Sequence, residues 1–290
     1  MSVAWTSYRL EFRAESQIHI GYHGLGTIQR TRYYIPARTI WGVLISQLAP
    51  SLAAAMSPPS MYHEARKVVE SSVRVTHLFP LIGGVESPPN LEPGRGLCYG
   101  KNTEAEFESL FVRAQTSTAL TPESLTAEPD SLHETEFLAP CGRGGQKLGF
   151  YGDLLLRGSQ IVPALLWAVL ARFSVGSDRR YGWGRLALAG TPQQQHDSFA
   201  NGTVQEWDGE HPTVKCAGDS PVLAHVDADA TLGLPAFEGD LEVIGGRDWD
   251  ERRGSGQSVA QNRLCWAPGT RVTAECRFAV GPQGIWRVSS

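Results

Sequence analysis

The stretch from 149 to 190 constrains the fold of this 290-residue chain more than any other. Phe150 to Leu156 is apolar enough to predict a buried core strand. The apolar run that follows predicts a helix capped by Ser159, in which Pro163 is tolerated because it falls in the first turn. Gly176 is placed to end that helix in a left-handed conformation. The stretch therefore predicts a strand, a buried helix, a glycine-rich basic loop and a second strand.

The glycine-rich loop, residues 176–185, combines arginines and aromatic residues on a backbone opened by glycine. Arginine binds phosphate through a bidentate fork, and an unpaired base can stack on tyrosine or tryptophan. A dinucleotide-binding fingerprint does not fit, because this loop follows a helix instead of opening one. On the residues alone, a surface turn with solvated arginines is an equal alternative. The candidate RNA contacts here are Gly176, Arg179, Arg180, Tyr181, Gly182, Trp183, Gly184 and Arg185.

The charge is distributed in blocks, although the whole chain carries a net charge of −4. Between Ser16 and His63 there is no carboxylate, and Arg30, Arg32 and Arg38 lie within this interval. Residues 121–140 and 197–251 are strongly acidic. This separation predicts one face for a polyanion and other faces for protein or solvent.

The first quarter of the chain predicts a strand from Tyr8 to Phe12 and then a glycine-broken loop over 17–26. His19 and His23 have a spacing that could bind metal on a helix, but the glycines between them disfavour a helix and hence a metal site. A short strand over 31–35 precedes a helix that we expect Thr39 to cap. The inner face of this helix is predicted to carry Ile40, Leu44 and Leu48.

The five cysteines are scattered and contain no C-x-x-C pair, which argues against a disulfide framework or a zinc site. We therefore expect a cytoplasmic protein without a metal or another cofactor. The N-terminal residues do not predict a signal peptide, and the longest apolar helix is too short to cross a bilayer. No membrane partner is expected.

The predicted fold class is α+β. The order strand, helix, strand, strand, helix, strand over 8–190 predicts a ferredoxin-like domain over 1–192. Its second strand is expected within 68–78, and an inserted loop and thumb hairpin within about 83–138. Residues 192–201 predict a linker, and the short strands after it predict a smaller β-rich domain over 193–290.

Two motifs resemble those of the CRISPR-associated RAMP superfamily. The segment Tyr34 to Leu44, YIPARTIWGVL, is similar to the superfamily's I-P-G-S-x-x-x-G-x-L junction between a strand and a helix. The loop with the core Gly182-Trp183-Gly184, which follows a helix and precedes a strand, resembles its glycine-rich signature loop. A looser similarity to the central region of type III members covers 113–120 and 137–156. Together the matches span about two-thirds of the chain.

This resemblance implies a ferredoxin-like (RRM/RAMP) fold and a subunit that binds guide RNA (crRNA). Its size and late glycine-rich loop resemble the Cas five-like subunit, which caps the five-prime repeat handle in type III-like class one effector complexes. The implied partners are guide RNA, backbone RAMP subunits, a large or nuclease subunit and, indirectly, target RNA. Further RNA contacts are expected from the early hairpin, the helix start and the thumb, namely His23, Arg30, Arg32, Tyr33, Arg38, Thr39, Trp41 and Arg113.

No catalytic residue is assigned, so the chain is expected not to be an enzyme. The repeated backbone subunit of type III complexes uses an acidic residue in an early loop, and the interval from Ser16 to His63 contains none. Two alternatives stay open. One is a metal-independent guide-processing endoribonuclease, for which Tyr22, His23 and Tyr33 are the candidate acid and base groups. The other is an assembly subunit that contacts only protein.

Overall fold

The computed structural model describes residues 4–52, 55–158, 161–206, 211–231, 237–250 and 254–289, and the chain there is a mixed α/β fold with several sheets. Its helices are α1 (Ala37–Leu52), α2 (Pro58–Ser72), α3 (Glu104–Phe111) and α4 (Pro163–Leu170). Short 3-10 helices span Arg179–Tyr181 and Ala228–Thr231. None of the described helices is both long and apolar enough to cross a membrane.

The strands of the first half precede, separate and follow these helices along the sequence. They are β1 (Trp5–Ala14), β2 (Gly21–Leu25), β3 (Ile28–Thr31), β4 (Val73–Val75), β5 (Phe79–Ile82), β6 (Val85–Glu86), β7 (Pro89–Glu92), β8 (Gly96–Tyr99), β9 (Asn102–Thr103), β10 (Val112–Ser117), β11 (His133–Leu138), β12 (Leu148–Arg157), β13 (Arg172–Ser174) and β14 (Arg185–Leu188).

The second half contributes strands and no α-helix within its described residues. They are β15 (Gln193–Gln195), β16 (Ser198–Phe199), β17 (Gly202–Glu206), β18 (Thr213–Cys216), β19 (His225–Asp227), β20 (Phe237–Glu238), β21 (Leu241–Asp250), β22 (Gly254–Trp266), β23 (Arg271–Val272), β24 (Cys276–Val280) and β25 (Ile285–Ser289).

The first sheet is organised around the long antiparallel pair β1 and β12, whose register places Phe12 opposite Phe150. Its strand order is β13-β14-β1-β12-β5-β6, with β15 also on β1 and β4 also on β12. β14 and β5 both run antiparallel to their central neighbours. Strand β1 therefore lies at the centre, between β14 and β12.

Two further sheets complete the chain's main architecture. A four-stranded sheet, β10-β11-β3-β2, joins the hairpin of the insertion to the early hairpin through a parallel pair between β11 and β3. An eight-stranded sheet, β16-β17-β18-β24-β25-β19-β22-β21, contains most of the second half. The inserted hairpin is thus part of a sheet with the early hairpin, and a small sheet β7-β8-β9 precedes it.

The first sheet is buried on both faces. Alternate residues of β12, such as Leu154, pack with α1 residues Leu44 and Leu48 in one core cluster. On the opposite face, Leu155 belongs to a second cluster that also contains Trp286 of β25. The other members from the first sheet and its surroundings include Trp5, Tyr34, Phe79 and Tyr151. Strands of the second half therefore cover this face of the sheet.

A buried ion pair strengthens this junction. Arg9 Nε of β1 lies 2.5 Å from Asp153 Oδ1 of β12, and the Asp153 side chain is only 3% exposed. The other carboxylate oxygen accepts a hydrogen bond of 2.7 Å from the Ala200 amide, which belongs to the second half. A charge that is buried to this extent requires such partners, so Asp153 ties the two halves together.

Several predicted boundaries differ from the structure. Residues 68–72 belong to helix α2 and not to a strand, because Ala65, Val69 and Ser72 are buried at helical spacing. The predicted loop over 17–26 contains strand β2, which pairs with β3 despite its glycines. The predicted loop over 83–100 contains short strands.

Two predicted ends and the linker also need correction. Helix α4 ends at Leu170 because strand β13 begins at Arg172, so Gly176 does not cap it. The predicted cap Ser159 lies outside the described residues, and Val162 occupies the N-cap position. Thr39 lies inside the first turn of α1, which begins at Ala37. The segment 192–201 is not a free linker, since its residues form β15 on the first sheet and β16 on the third.

We expect Leu154→Ala and Leu155→Ala each to destabilise the chain, although the two side chains face different core clusters. Both are 0% exposed, and truncation of a buried leucine costs about 2–5 kcal/mol. Because the clusters share one sheet, chemical unfolding of each variant is predicted to remain a single transition. A second transition in Leu155→Ala, with the first unchanged, would show instead that residues 193–290 unfold as an independent domain.

Candidate nucleic-acid interface

The backbone of the glycine-rich loop is packed tightly against the segment before the early hairpin. Gly176 and Gly184 both have a φ of +77°. A Cβ atom at Gly176 would lie 2.0 Å from the His19 carbonyl oxygen, and one at Gly184 would lie 1.9 Å from the Val175 oxygen. The Gly184 amide donates to Gln17 O at 2.7 Å. Both positions therefore require glycine for two reasons. Their backbone is left-handed, and a Cβ atom would collide with a carbonyl oxygen.

This packing presents a short basic surface. Arg179, Arg180 and Tyr181 form a 3-10 helix, and all of its side chains are exposed, with Tyr181 83% exposed. Arg185 is also exposed. Trp183 differs from the prediction, because it is only 7% exposed and packs edge-on against Phe137 with ring centroids 5.1 Å apart. Tyr181 thus offers an open ring for stacking, whereas Trp183 anchors the loop.

The glycine-rich loop, the early hairpin and the start of α1 meet in one cleft of about 390 Å³, which we call the basic cleft. The loop contributes Gly176 and Ser177 to its lining. The hairpin region and the start of α1 contribute Ile20, Gly21, Arg32, Pro36, Arg38 and Thr39. The second half and the first sheet complete it with His77, His225, Ile244, Gly245, Gln283 and Ile285. Among described residues, the lining includes two arginines and no carboxylate.

His77 lines the cleft with a ring that is almost completely buried. Its Nδ1 accepts a hydrogen bond of 2.8 Å from the Ala37 amide at the start of α1. Burial and the neighbouring His225 lower the pKa of His77 well below its usual value, so the ring is neutral at pH 7. A neutral histidine that accepts at Nδ1 carries its proton on Nε2. That Nε2 has no hydrogen-bond partner within the described chain, which leaves a donor beside the cleft.

A buried ionic network lies behind His77. Arg32 Nη1 lies 2.6 Å from Glu242 Oε2, and the other carboxylate oxygen accepts from Tyr34 at 2.9 Å and contacts His225 Nε2. Burial alone would raise the pKa of Glu242, but the hydrogen bond from His225 and the charge of Arg32 outweigh it and lower the pKa to about 2. Burial lowers the pKa of His225. The network therefore holds an ionised Glu242 against the Arg32 guanidinium.

Two predicted RNA contacts, Arg30 and Tyr33, lie on the other side of Arg32 and are bound to carboxylates of the chain. Arg30 pairs with Glu108 at 2.9 Å and with Glu136 at 3.5 Å. The hydroxyl of Tyr33, a residue 7% exposed, donates to Glu108. The sequence around Arg30 contains no acidic residue and so gave no sign of these ion pairs. The carboxylates come from α3 and β11, about eighty to a hundred positions away.

The other predicted contacts are divided between exposed and packed positions. His23 is exposed on β2, and its ring lies 3.7 Å from that of Tyr22. Arg38 contacts Gln283 and lies 5.7 Å from the ring of Trp41, which is 7% exposed within α1. Arg113 is exposed on β10 and donates to Cys141 O at 3.2 Å, away from the residues that line the cleft.

Sequence reasoning missed His77, His225, Glu242 and Gln283. They come from three distant segments, and only the folded sheets bring His77, His225 and Gln283 to the cleft and Glu242 to the network behind it. The one local indication was a histidine beside the apolar residues Leu78 and Phe79, where a buried polar ring requires a specific partner.

The close packing of the loop predicts the effect of adding a methyl group to its glycines. We expect Gly176→Ala and Gly184→Ala each to destabilise the chain strongly, because the new Cβ atom meets a carbonyl oxygen. Gly158→Ala is the matched control, since Gly158 has the same φ of +77° with nothing within 4 Å of a Cβ atom. Thermal unfolding measures the difference. Equal losses in all three variants would mean that backbone strain alone, and not the packing, requires glycine.

Comparison with known proteins finds similarity in structure. No family model and no curated protein matches the chain. A chain of the type III-B Cmr-beta complex bound to cognate target RNA and AMPPnP superposes with a TM-score of 0.57 at 12% identity, over 91% of this chain and 85% of that one. A chain of Cmr-beta bound to cognate target RNA gives 0.50 at 12% identity, over 91% and 86%. At this identity the likeness shows a common fold, which this chain shares with a component of type III-B Cmr-beta.

Proposed function

We propose that this chain is a guide-RNA-binding subunit of a type III-like CRISPR effector complex, where it caps the five-prime repeat handle of the crRNA. The proposal combines the RAMP-like motifs with the common fold. The solved chains of similar fold come from Cmr-beta assemblies bound to target RNA. Guide RNA and neighbouring RAMP subunits would be the direct partners, with target RNA bound indirectly.

A ferredoxin-like assignment of the first half is supported by its strand order. Four antiparallel strands in the order β14-β1-β12-β5, with helices between β1 and β5 and between β12 and β14, follow the arrangement expected for such a domain. Because strands of the second half cover the sheet face, RNA in this proposal lies at the edge where the loops meet. The recognition surface therefore differs from one formed by an open sheet.

The observation that carries the proposal is the composition of the basic cleft. Parts of the two RAMP-like motifs, which lie about 140 residues apart, line one cleft that contains Arg38, the start of α1 and no described carboxylate. The N-terminus of α1 favours an anion. Arg179 and Arg180 extend the basic surface outward, and Tyr181 supplies a ring on which an unpaired base can stack.

The proposed role is non-catalytic. Arginine cannot act as a general base because it does not lose its proton at working pH. The alternative of a metal-independent ribonuclease keeps His23 as its candidate, since the ring is exposed beside Tyr22. A second proton-transferring group on the same phosphate would also be needed. His77 and His225 are buried, and a Glu242 contact occupies the Nε2 atom of His225.

The test is binding of labelled repeat RNA by Arg179→Ala with Arg180→Ala, measured across a salt titration. Each phosphate contact in a single strand contributes about 0.7 to the slope of log K against log salt, so the slope is predicted to become shallower by about 1.4. Because both side chains are exposed, the double variant is expected to remain folded.

The matched control is Arg143→Ala with Arg277→Ala, which removes the same charge from exposed positions outside the cleft lining. Equal affinity and slope in the two double variants would contradict the proposed interface. The RNA is also analysed for cleavage, with and without magnesium. We expect it to stay intact, and cleavage at one position that His23→Ala abolishes would establish the ribonuclease instead.

A further inference from the structure

A second cavity, of about 170 Å³, lies on the other side of Arg32 and has the opposite character to the basic cleft. We call it the tyrosine cavity. Four tyrosines line it, namely Tyr22, Tyr33, Tyr34 and Tyr99. Four carboxylates and two arginines complete its charged lining, namely Glu104, Glu108, Asp240, Glu242, Arg30 and Arg32. Its formal charge is therefore negative.

The two arginines of the cavity are already paired. Arg30 lies 2.9 Å from Glu108, and Arg32 lies 2.6 Å from Glu242. Glu104 and Asp240 have no ion pair with any described residue. Partial burial and the charges of Glu108 and Asp240 raise the pKa of Glu104, with Arg30 opposing them. Two carboxylates at the rim of the cavity thus lack a cation.

Tyr99 provides an independent indication of a ligand. The residue is only 4% exposed, and its ring packs between those of Tyr33 and Phe107. Its hydroxyl makes no hydrogen bond within the described chain, although the residue lines the tyrosine cavity. The Tyr99 side chain is therefore held in place by packing, while its hydroxyl remains free to bond a molecule in the cavity.

The environment of Arg32 shows which group these side chains suit. Its guanidinium lies 4.6 Å from the ring centre of Tyr22 and 5.8 Å from that of Tyr34, while Glu242 binds its edge. Tyrosine faces with a carboxylate at the edge match the flat, delocalised charge and the N–H fork of arginine. The remaining part of the cavity offers the same combination of a tyrosine ring and carboxylates, from Tyr99, Glu104 and Asp240.

We propose that the tyrosine cavity binds the guanidinium group of an arginine side chain presented by a neighbouring protein subunit. A polyanion such as RNA would be repelled by the unpaired carboxylates. The described residues contain no group of three or more His, Cys, Asp or Glu side chains that could hold a metal ion. A volume of about 170 Å³ suits the end of one side chain. Since Arg30 and Arg32 are paired, the cavity offers no cation for the carboxylate of a free amino acid.

The experiment titrates the full chain with Nα-acetyl-arginine amide and follows the ring resonances of labelled tyrosines by NMR. The neutral isostere, Nα-acetyl-citrulline amide, is titrated in parallel. We expect saturable shifts with the arginine amide, assigned to Tyr99 through Tyr99→Phe, and no saturable shift with the citrulline amide. Glu104→Gln with Asp240→Asn is predicted to weaken arginine binding at least about tenfold, since each charged hydrogen bond becomes neutral.

Glu123→Gln with Glu128→Gln is the matched control, because both side chains are exposed in the inserted hairpin. It should bind the arginine amide like the parent chain. The Glu104 and Asp240 variant should also unfold at a higher temperature than this control, since like charges without a cation destabilise the unbound chain. A purely structural role for these carboxylates predicts the reverse.

The proposal is overturned if citrulline amide or Nα-acetyl-lysine amide binds as well as arginine amide, or if the two double variants bind it equally. This outcome is separable from that of the RNA proposal. Loss of RNA binding in the Arg179 and Arg180 variant should leave arginine-amide binding unchanged, and the Glu104 and Asp240 variant should retain the parent's affinity for repeat RNA.

Discussion

The pair between Arg32 and Glu242 is the interaction on which both candidate sites depend. It joins the end of the early hairpin to β21, across 210 positions of sequence, and neither side chain is more than 13% exposed. A buried ion pair of this kind is a weak source of net stability, but loss of one partner leaves an uncompensated charge. Its value here is positional, because it fixes the second half of the chain against the hairpin and the start of α1.

This pair also separates two environments of opposite charge. On one side the basic cleft has arginines, a helix start and a neutral histidine, with no described carboxylate in its lining. On the other side the tyrosine cavity has carboxylates in excess. Arg32 lines both, and its charge is balanced by Glu242 at the boundary between them. This arrangement is the one that the proposed contacts with RNA and with a protein subunit would require.

The elements with strong local patterns were predictable from the sequence. The core strand around Phe150 to Leu156 lies within β12, and Ile40, Leu44 and Leu48 are buried on α1 because their spacing fixes a helical face. The glycine-rich loop was found because glycine is required where φ is positive and contact is close. Boundaries were less accurate, as with α2, because valines at 68 and 69 suit a strand locally while tertiary burial selects the helix.

The electrostatics of the site could not be read from local charge. A carboxylate-free interval predicted that Arg30 and Arg32 face a polyanion, yet Glu108, Glu136 and Glu242 fold against them from outside that interval. The coverage of the first sheet was missed for the same reason, since a two-faced apolar strand such as β12 does not reveal what covers its second face. Long-range packing decides both.

The most direct measurement of the central claim is photo-crosslinking of RNA that copurifies with the full chain, followed by sequencing of the RNA and mapping of the crosslinked residues. The account predicts repeat-derived RNA with a common five-prime end, crosslinked at Tyr181 and beside the basic cleft. RNA without a common end, or crosslinks confined to the residues of the tyrosine cavity, would contradict it.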